Sequence, residues 1–126
     1  MPDAVMIVEV PSLKVLFANR YAETITQRSL GRPANLDLNH LEGEILYPDG
    51  RKYDDRADWP IMRATRGQKV SDEECVYVLP DGSSMTVLVS SAPVYDTEGH
   101  VVAAVAVARD VTEQDDADSA SLRPGL

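Results

Sequence analysis

The stretch DEECVYVLPDGSSMTVLVSSAPVYDTEGHVVAAVAVARDVT, residues 72–112, decides the fold. Within it, residues 75–79, 85–95 and 100–108 form three valine-rich runs. They are separated by Pro80-Asp81-Gly82 and by Asp96-Thr97-Glu98-Gly99. Valine packs well on a pleated surface, whereas Pro, Asp and Gly supply the dihedrals and local hydrogen bonds of tight reversals. Composition and punctuation therefore agree on a three-stranded antiparallel meander, and Asp110-Val111-Thr112 fixes its exit. Such a sheet needs a cover on one face.

The N-terminal half supplies the cover. Residues 4–10 (AVMIVEV) and 14–18 (KVLFA) predict two further short strands around a Pro11-Ser12 turn. Asn19 then stands at a helix start, where its side-chain oxygen can accept from an otherwise orphan backbone N–H. Residues 20–27 place Tyr21, Ala22 and Ile25 on one side of the predicted helix. Between residues 29 and 58 the glycines, prolines and a hydrophilic run predict loops, with one helical turn near residues 38–41. A second helix is predicted over residues 59–66, with Asp58 as N-cap, Pro60 in the first turn and Gly67 as the stop. Strand, strand, helix, irregular connection, helix and three long strands make an α+β fold.

Composition bounds the function. A chain of 126 residues holds one domain around one core. No stretch approaches the roughly 18 apolar residues of a membrane span, and no charged-then-apolar leader opens it. The net charge is −9, and residues 110–126 alone hold five acids against one base. Such a surface repels phosphate backbones, which argues against DNA or RNA binding. With one cysteine, Cys75, there is no internal disulfide. Residues 115–126 read as a disordered acidic tail or the start of a linker.

Catalytic chemistry finds little support. His40 falls in the irregular connection and His100 opens the last strand beside a turn, neither with a companion at metal-ligand spacing. Solvated surface histidines account for both. There is no phosphate-binding glycine loop, so the chain is not expected to be an enzyme.

The element order, together with FAN at 17–19, WPIMRATRGQKV at 59–70, PDG at 80–82, SAPVYDTEGHVV at 91–102 and RDVTE at 109–113, resembles a PAS domain over residues 3–114. No one of these words is specific, but their order and spacing together are. The resemblance implies a five-stranded antiparallel sheet in spatial order 2-1-5-4-3 with short helices on one face. It also implies a sensory or interaction role in a signalling protein such as a histidine kinase, in the cytoplasm, with an output domain as partner. PAS domains usually carry a helix or coiled-coil linker ahead of the first strand, so the chain is expected to be a fragment.

Cofactor-binding PAS subfamilies leave marks that this sequence lacks. Light-sensing flavin members carry Asn-Cys-Arg-Phe-Leu-Gln where this chain reads Pro33-Ala34-Asn35-Leu36 after Gly31-Arg32, so a photoreactive flavin is not expected. Haem-binding members use a histidine on the helix before the long strands, and residues 59–66 contain none. Cys75 lies in a strand instead of the loop that would carry a thioester-linked pigment.

What remains is a noncovalent pocket between sheet and helices. By the resemblance, Cys75, Tyr77, Met85, Val87, Val89, Ser91, Ala104, Ala106 and Ala108 point inward. Val76, Val78, Leu88, Val105 and Val107 then point outward. The outward face is also apolar, and Leu88, Val105 and Val107 are the expected homodimer surface. The alanine row at 104, 106 and 108 leaves volume to be filled, because a gap of Leu-to-Ala size costs on the order of 2 to 5 kcal/mol. Either Trp59, Met62 and Ile25 fill it from the helices, or a small organic ligand does, with Tyr77 and Ser91 offering hydroxyls. Asp110 and Thr112, with short side chains suited to bonding nearby backbone, are expected to pass a signal from the last strand to the output domain. Two functions stay open: a ligand-sensing input module, or a ligand-free PAS module for dimerisation or docking. A flavin-based redox sensor is a third, without a supporting motif.

Overall fold

The computed structural model describes residues 3–26, 38 and 43–111. Its strands are β1 (Asp3–Glu9), β2 (Val15–Ala18), β3 (Glu44–Leu46), β4 (Val70–Val78), β5 (Ser84–Tyr95) and β6 (Val101–Asp110). Helices α1 (Arg20–Thr26) and α2 (Pro60–Thr65), with a 3₁₀ turn over Arg56–Asp58, lie between the two strand groups. The six strands form one antiparallel sheet in the order β2-β1-β6-β5-β4-β3. The expected order 2-1-5-4-3 is present in full. The addition is β3, a three-residue edge strand whose Ile45 pairs with Tyr77.

Local chemistry explains the hairpins. The Leu79 and Gly82 amides close the β4–β5 turn on Ser83 and Leu79 carbonyls, and Asp81 accepts from the Ser83 amide at 2.9 Å. In the β5–β6 turn the Asp96 carboxylate accepts from the amides of Glu98 and His100, both at 2.9 Å. Asn19 caps α1 as expected, accepting from the Ala22 amide at 2.9 Å. It does more: the same oxygen accepts from the Val5 amide, and the side-chain amide donates to the Asp3 carbonyl. One side chain thus fastens α1 to β1.

Two boundaries differ from expectation. Asp58 does not cap the second helix. It closes the 3₁₀ turn that Asp55 caps by accepting from the Ala57 amide, and Trp59, with no side-chain cap bond, is the N-cap residue of α2. Strand β4 begins at Val70, five residues before the apolar run: a bulge at Asp72 (φ 49°) lets the charged residues Glu73 and Glu74 pair in the ladder. Gly67 ends α2 as expected, at φ 91° and with its amide bonded to the Ala64 carbonyl. The turn expected at 38–41 lies outside the described residues except for Leu38, as do His40, Thr112 and the tail.

The core has two parts. Val8, Val15, Leu38, Ile61, Ala64 and Ala104 pack beneath β1, β2 and β6. Tyr53, Trp59, Cys75, Val87 and Val89 pack beneath β4 and β5. Met62 touches both, so α2 spans the seam between them.

Candidate functional site

The seam is not filled. A cavity of ≈ 110 Å³ lies between sheet and helices, and its lining draws on both parts of the core. Strand register makes its floor: Ala4 lies opposite Ala108, Met6 opposite Ala106, and Val89 on the other side of Ala108. Three small alanine side chains meeting across two neighbouring strands leave a depression between them. Ala22 and Ile25 of α1, Leu38, and Trp59, Pro60 and Ile61 at the start of α2 close the far side. Gly43, Ile45 and Tyr77 close one end.

Of the expected ligand-binding residues, Trp59, Tyr77, Val87, Val89, Ala106 and Ala108 line this cavity. Four do not, and each has a structural reason. Ser91 is buried with its hydroxyl donating to the Pro60 carbonyl at 2.8 Å, which anchors the first turn of α2 to β5. Ala104 is sealed within the Val8, Ile61 and Ala64 packing. Met62 sits in the seam between the core halves, outside the cavity wall. Cys75 has no exposed surface and lies 3.3 Å from the Tyr53 hydroxyl.

The cavity wall is apolar. Among the described lining residues, the side chains able to hydrogen-bond are Tyr77 and Trp59. Burial pushes the Tyr77 phenol up to about 12, so it stays neutral at physiological pH. Its described residues suit a neutral molecule, and none of them carries a carboxylate, imidazole or thiol.

A polar group stands beside it. The Tyr53 hydroxyl donates to Glu73 Oε2 at 2.7 Å, and Arg63 Nη2 donates to the same oxygen at 2.5 Å. Tyr53 stacks on Tyr47 with centroids 4.1 Å apart. Burial pushes the Glu73 carboxyl up, but the bonds from Arg63 and Tyr53 outweigh it and hold the group below its usual range. Burial pushes the Cys75 thiol up, which keeps it a weak nucleophile. The network ties α2 and the 47–53 segment to β4. Nothing in the sequence pairs Arg63 with Glu73, because both read as solvated charges. Ala4 and Met6 were recoverable from the alternation in residues 4–10.

At the far end of β6, Asp110 Oδ2 accepts from the Tyr21 hydroxyl at 3.2 Å, and the Val111 amide continues pairing to the Thr86 carbonyl. Leu88, Val105 and Val107 lie on the face opposite α1 and α2, where Val105 pairs with Ile7 and Val107 with Val5. His100 is exposed, with Asp96 and Glu98 carboxylates 3.5 and 3.7 Å from its Nδ1. No cluster of metal-ligating side chains occurs among the described residues, and no described helix is long and apolar enough to cross a membrane.

A family profile described as "PAS domain" matches residues 2–113. The chain belongs to the PAS domain family. Solved PAS structures share its fold. The PAS domain of a Colwellia psychrerythraea protein superposes with a TM-score of 0.62 at 20% identity, covering 88% of this chain and 87% of that one. The dark structure of the blue-light photoreceptor Aureochrome1 LOV gives 0.63 at 24%, covering 94% and 82%. A light-oxygen-voltage domain studied with a flavin analogue gives 0.61 at 20%, covering 94% and 84%. A search of curated proteins finds no match to the chain. PAS membership makes this a sensory type of fold, and the antiparallel sheet with helices on one face is the one that membership implies.

Proposed function

We propose that this PAS domain is the input module of a cytoplasmic signal-transduction protein, a histidine kinase or related regulator, and that it holds a small molecule noncovalently between sheet and helices. The observation that carries the reading is the alanine floor of Ala4, Ala106 and Ala108 under an unfilled apolar cavity. Interiors are close-packed, so a void of this size is either destabilising or occupied. Occupancy would be felt by α1 through Ala22 and Ile25, and Tyr21 on the same helix reaches Asp110 at the end of the last strand. A photoreactive flavin fits poorly with a sheet wall of Val87, Val89, Ala106 and Ala108, which offers a flavin ring no side-chain hydrogen bond. Native mass spectrometry of protein purified without denaturation tests the reading. A mass above that of the polypeptide, released on unfolding, is expected. Bare polypeptide that takes up nothing from a small-molecule extract of its host would sink it.

A second reading, self-association through the outer sheet face, rests on its apolar surface. Phe17 and Val94 are 48% and 42% exposed there, beside Leu88, Val105 and Val107. Monomers seldom expose large contiguous patches of this kind. Light scattering at high micromolar concentration should give a dimer mass that Val107→Lys reduces to the monomer. A monomeric wild type rejects it.

A further inference from the structure

The proposed ligand site has a size, a charge preference and one hydroxyl in its described wall, and together these define a chemical class. We infer that the ligand is a neutral molecule of about single-aromatic-ring size carrying one hydrogen-bonding group, which the Tyr77 hydroxyl meets. The inference rests on the proposed reading of the cavity as a ligand site.

Size comes first. A dry apolar cavity of about 150 Å³ holds benzene, and this one measures ≈ 110 Å³. A three-ring flavin or a tetrapyrrole would have to displace Leu38, Ile61 or Trp59, which are 2%, 6% and 7% exposed and belong to the core. The smaller volume makes a single ring the upper limit. Charge comes second. No charged side chain lines the cavity among the described residues, so a carboxylate or ammonium would be stripped of water with nothing in return.

The polar contact comes third. Two hydroxyls near the cavity are committed elsewhere: Tyr53 to Glu73 and Cys75, Ser91 to the Pro60 carbonyl. The Tyr77 hydroxyl makes no hydrogen bond to any described residue, although the ring is substantially buried at the cavity's end. Its place is set by Gly43. A Cβ at that position would collide with the Tyr77 ring, 2.6 Å from Cε1 and Cζ and closer still to the hydroxyl oxygen. Glycine there lets the Tyr77 ring lie against the backbone at the end of the cavity. A phenol both donates and accepts, so a ligand hydroxyl, carbonyl or ring N–H would serve.

Calorimetric titration of the full chain with toluene, p-cresol, benzoate and flavin mononucleotide tests this, with Tyr77→Phe as the variant. The wild type should bind p-cresol about fivefold to tenfold more tightly than toluene, the margin expected of one net hydrogen bond. Benzoate and flavin mononucleotide should not bind. Tyr77→Phe should keep toluene affinity and its circular dichroism, while the p-cresol advantage disappears. An advantage that survives in Tyr77→Phe overturns the role of Tyr77. Flavin mononucleotide or benzoate binding more tightly than p-cresol overturns the ligand class but leaves a noncovalent ligand site standing. If no probe binds and Ala106→Leu is markedly less stable than wild type, the cavity is packed and the ligand-site reading falls as well.

Discussion

Tyr21 and Asp110, 89 positions apart in sequence, are joined by a hydrogen bond of 3.2 Å from the phenol to the carboxylate. The bond links the helix that forms part of the cavity wall to the last residue of the last strand. Burial and the neighbouring Asp110 charge both push the Tyr21 phenol up, so it remains a donor across the physiological range. A displacement of α1 by a ligand against Ala22 or Ile25 would therefore be passed to the end of β6 by a bond of fixed polarity.

Tyr21→Phe should cost about 1 kcal/mol of stability, the ordinary net worth of one hydrogen bond. Ligand affinity should change little, because the hydroxyl faces Asp110. Hydrogen exchange at the Val111 amide, which pairs with the Thr86 carbonyl, should quicken. Unchanged exchange there would mean that the bond does not hold the strand end.

Ala106→Leu should abolish binding and leave thermal stability near that of ligand-free wild type, since the added side chain enters a cavity. Overpacking of a full interior would instead cost roughly 1 to 3 kcal/mol. Denaturation of both proteins without ligand separates the outcomes.

The Glu73 carboxyl is held below the ordinary carboxylate value of 4.5: burial pushes it up, but the bonds from Arg63 and Tyr53 favour its charged form by more. Its unfolded value is higher than its folded one. The stability it contributes is therefore present above pH 4.5 and is lost as pH falls through the depressed folded value. Glu73→Gln should cost about 2 kcal/mol at neutral pH, and its stability should fall less steeply than wild type on acidification below that point. Parallel acid profiles from urea melts would contradict the assignment.

Asn19→Ala should cost about 2 kcal/mol, the upper end for a lost N-cap, because the side chain also bonds β1 through the Val5 amide and the Asp3 carbonyl. Asn19→Asp should recover the cap but not the bond donated to Asp3. Chemical denaturation should order the three proteins wild type, Asp, Ala. An Asp variant equal to wild type would show that the bond to the Asp3 carbonyl contributes nothing.

Sequence alone determined what neighbours along the chain can dictate. Pro80-Asp81-Gly82 and the Asp96 to Gly99 turn fixed the hairpins, Asn19 and Gly67 marked one helix start and one helix stop, and alternation grouped Val87 with Val89 and Ala106 with Ala108, both pairs being placed inward by the resemblance. Each works through bonds or dihedrals within a few residues. Tertiary structure alone decided the rest. Edge strand β3 is three residues long and forms because Ile45 finds Tyr77. The start of β4 was hidden by charges whose partners, Arg63 and Tyr53, lie 10 and 20 residues away. The emptiness above the alanines depends on Ala4 falling opposite Ala108, which is a matter of register. The Ser91 hydroxyl is spent on the Pro60 carbonyl, whereas the Tyr77 hydroxyl, beside Gly43, bonds no described residue. A void and an unspent hydrogen bond are properties of what surrounds a residue, and those surroundings exist only once distant segments have packed together.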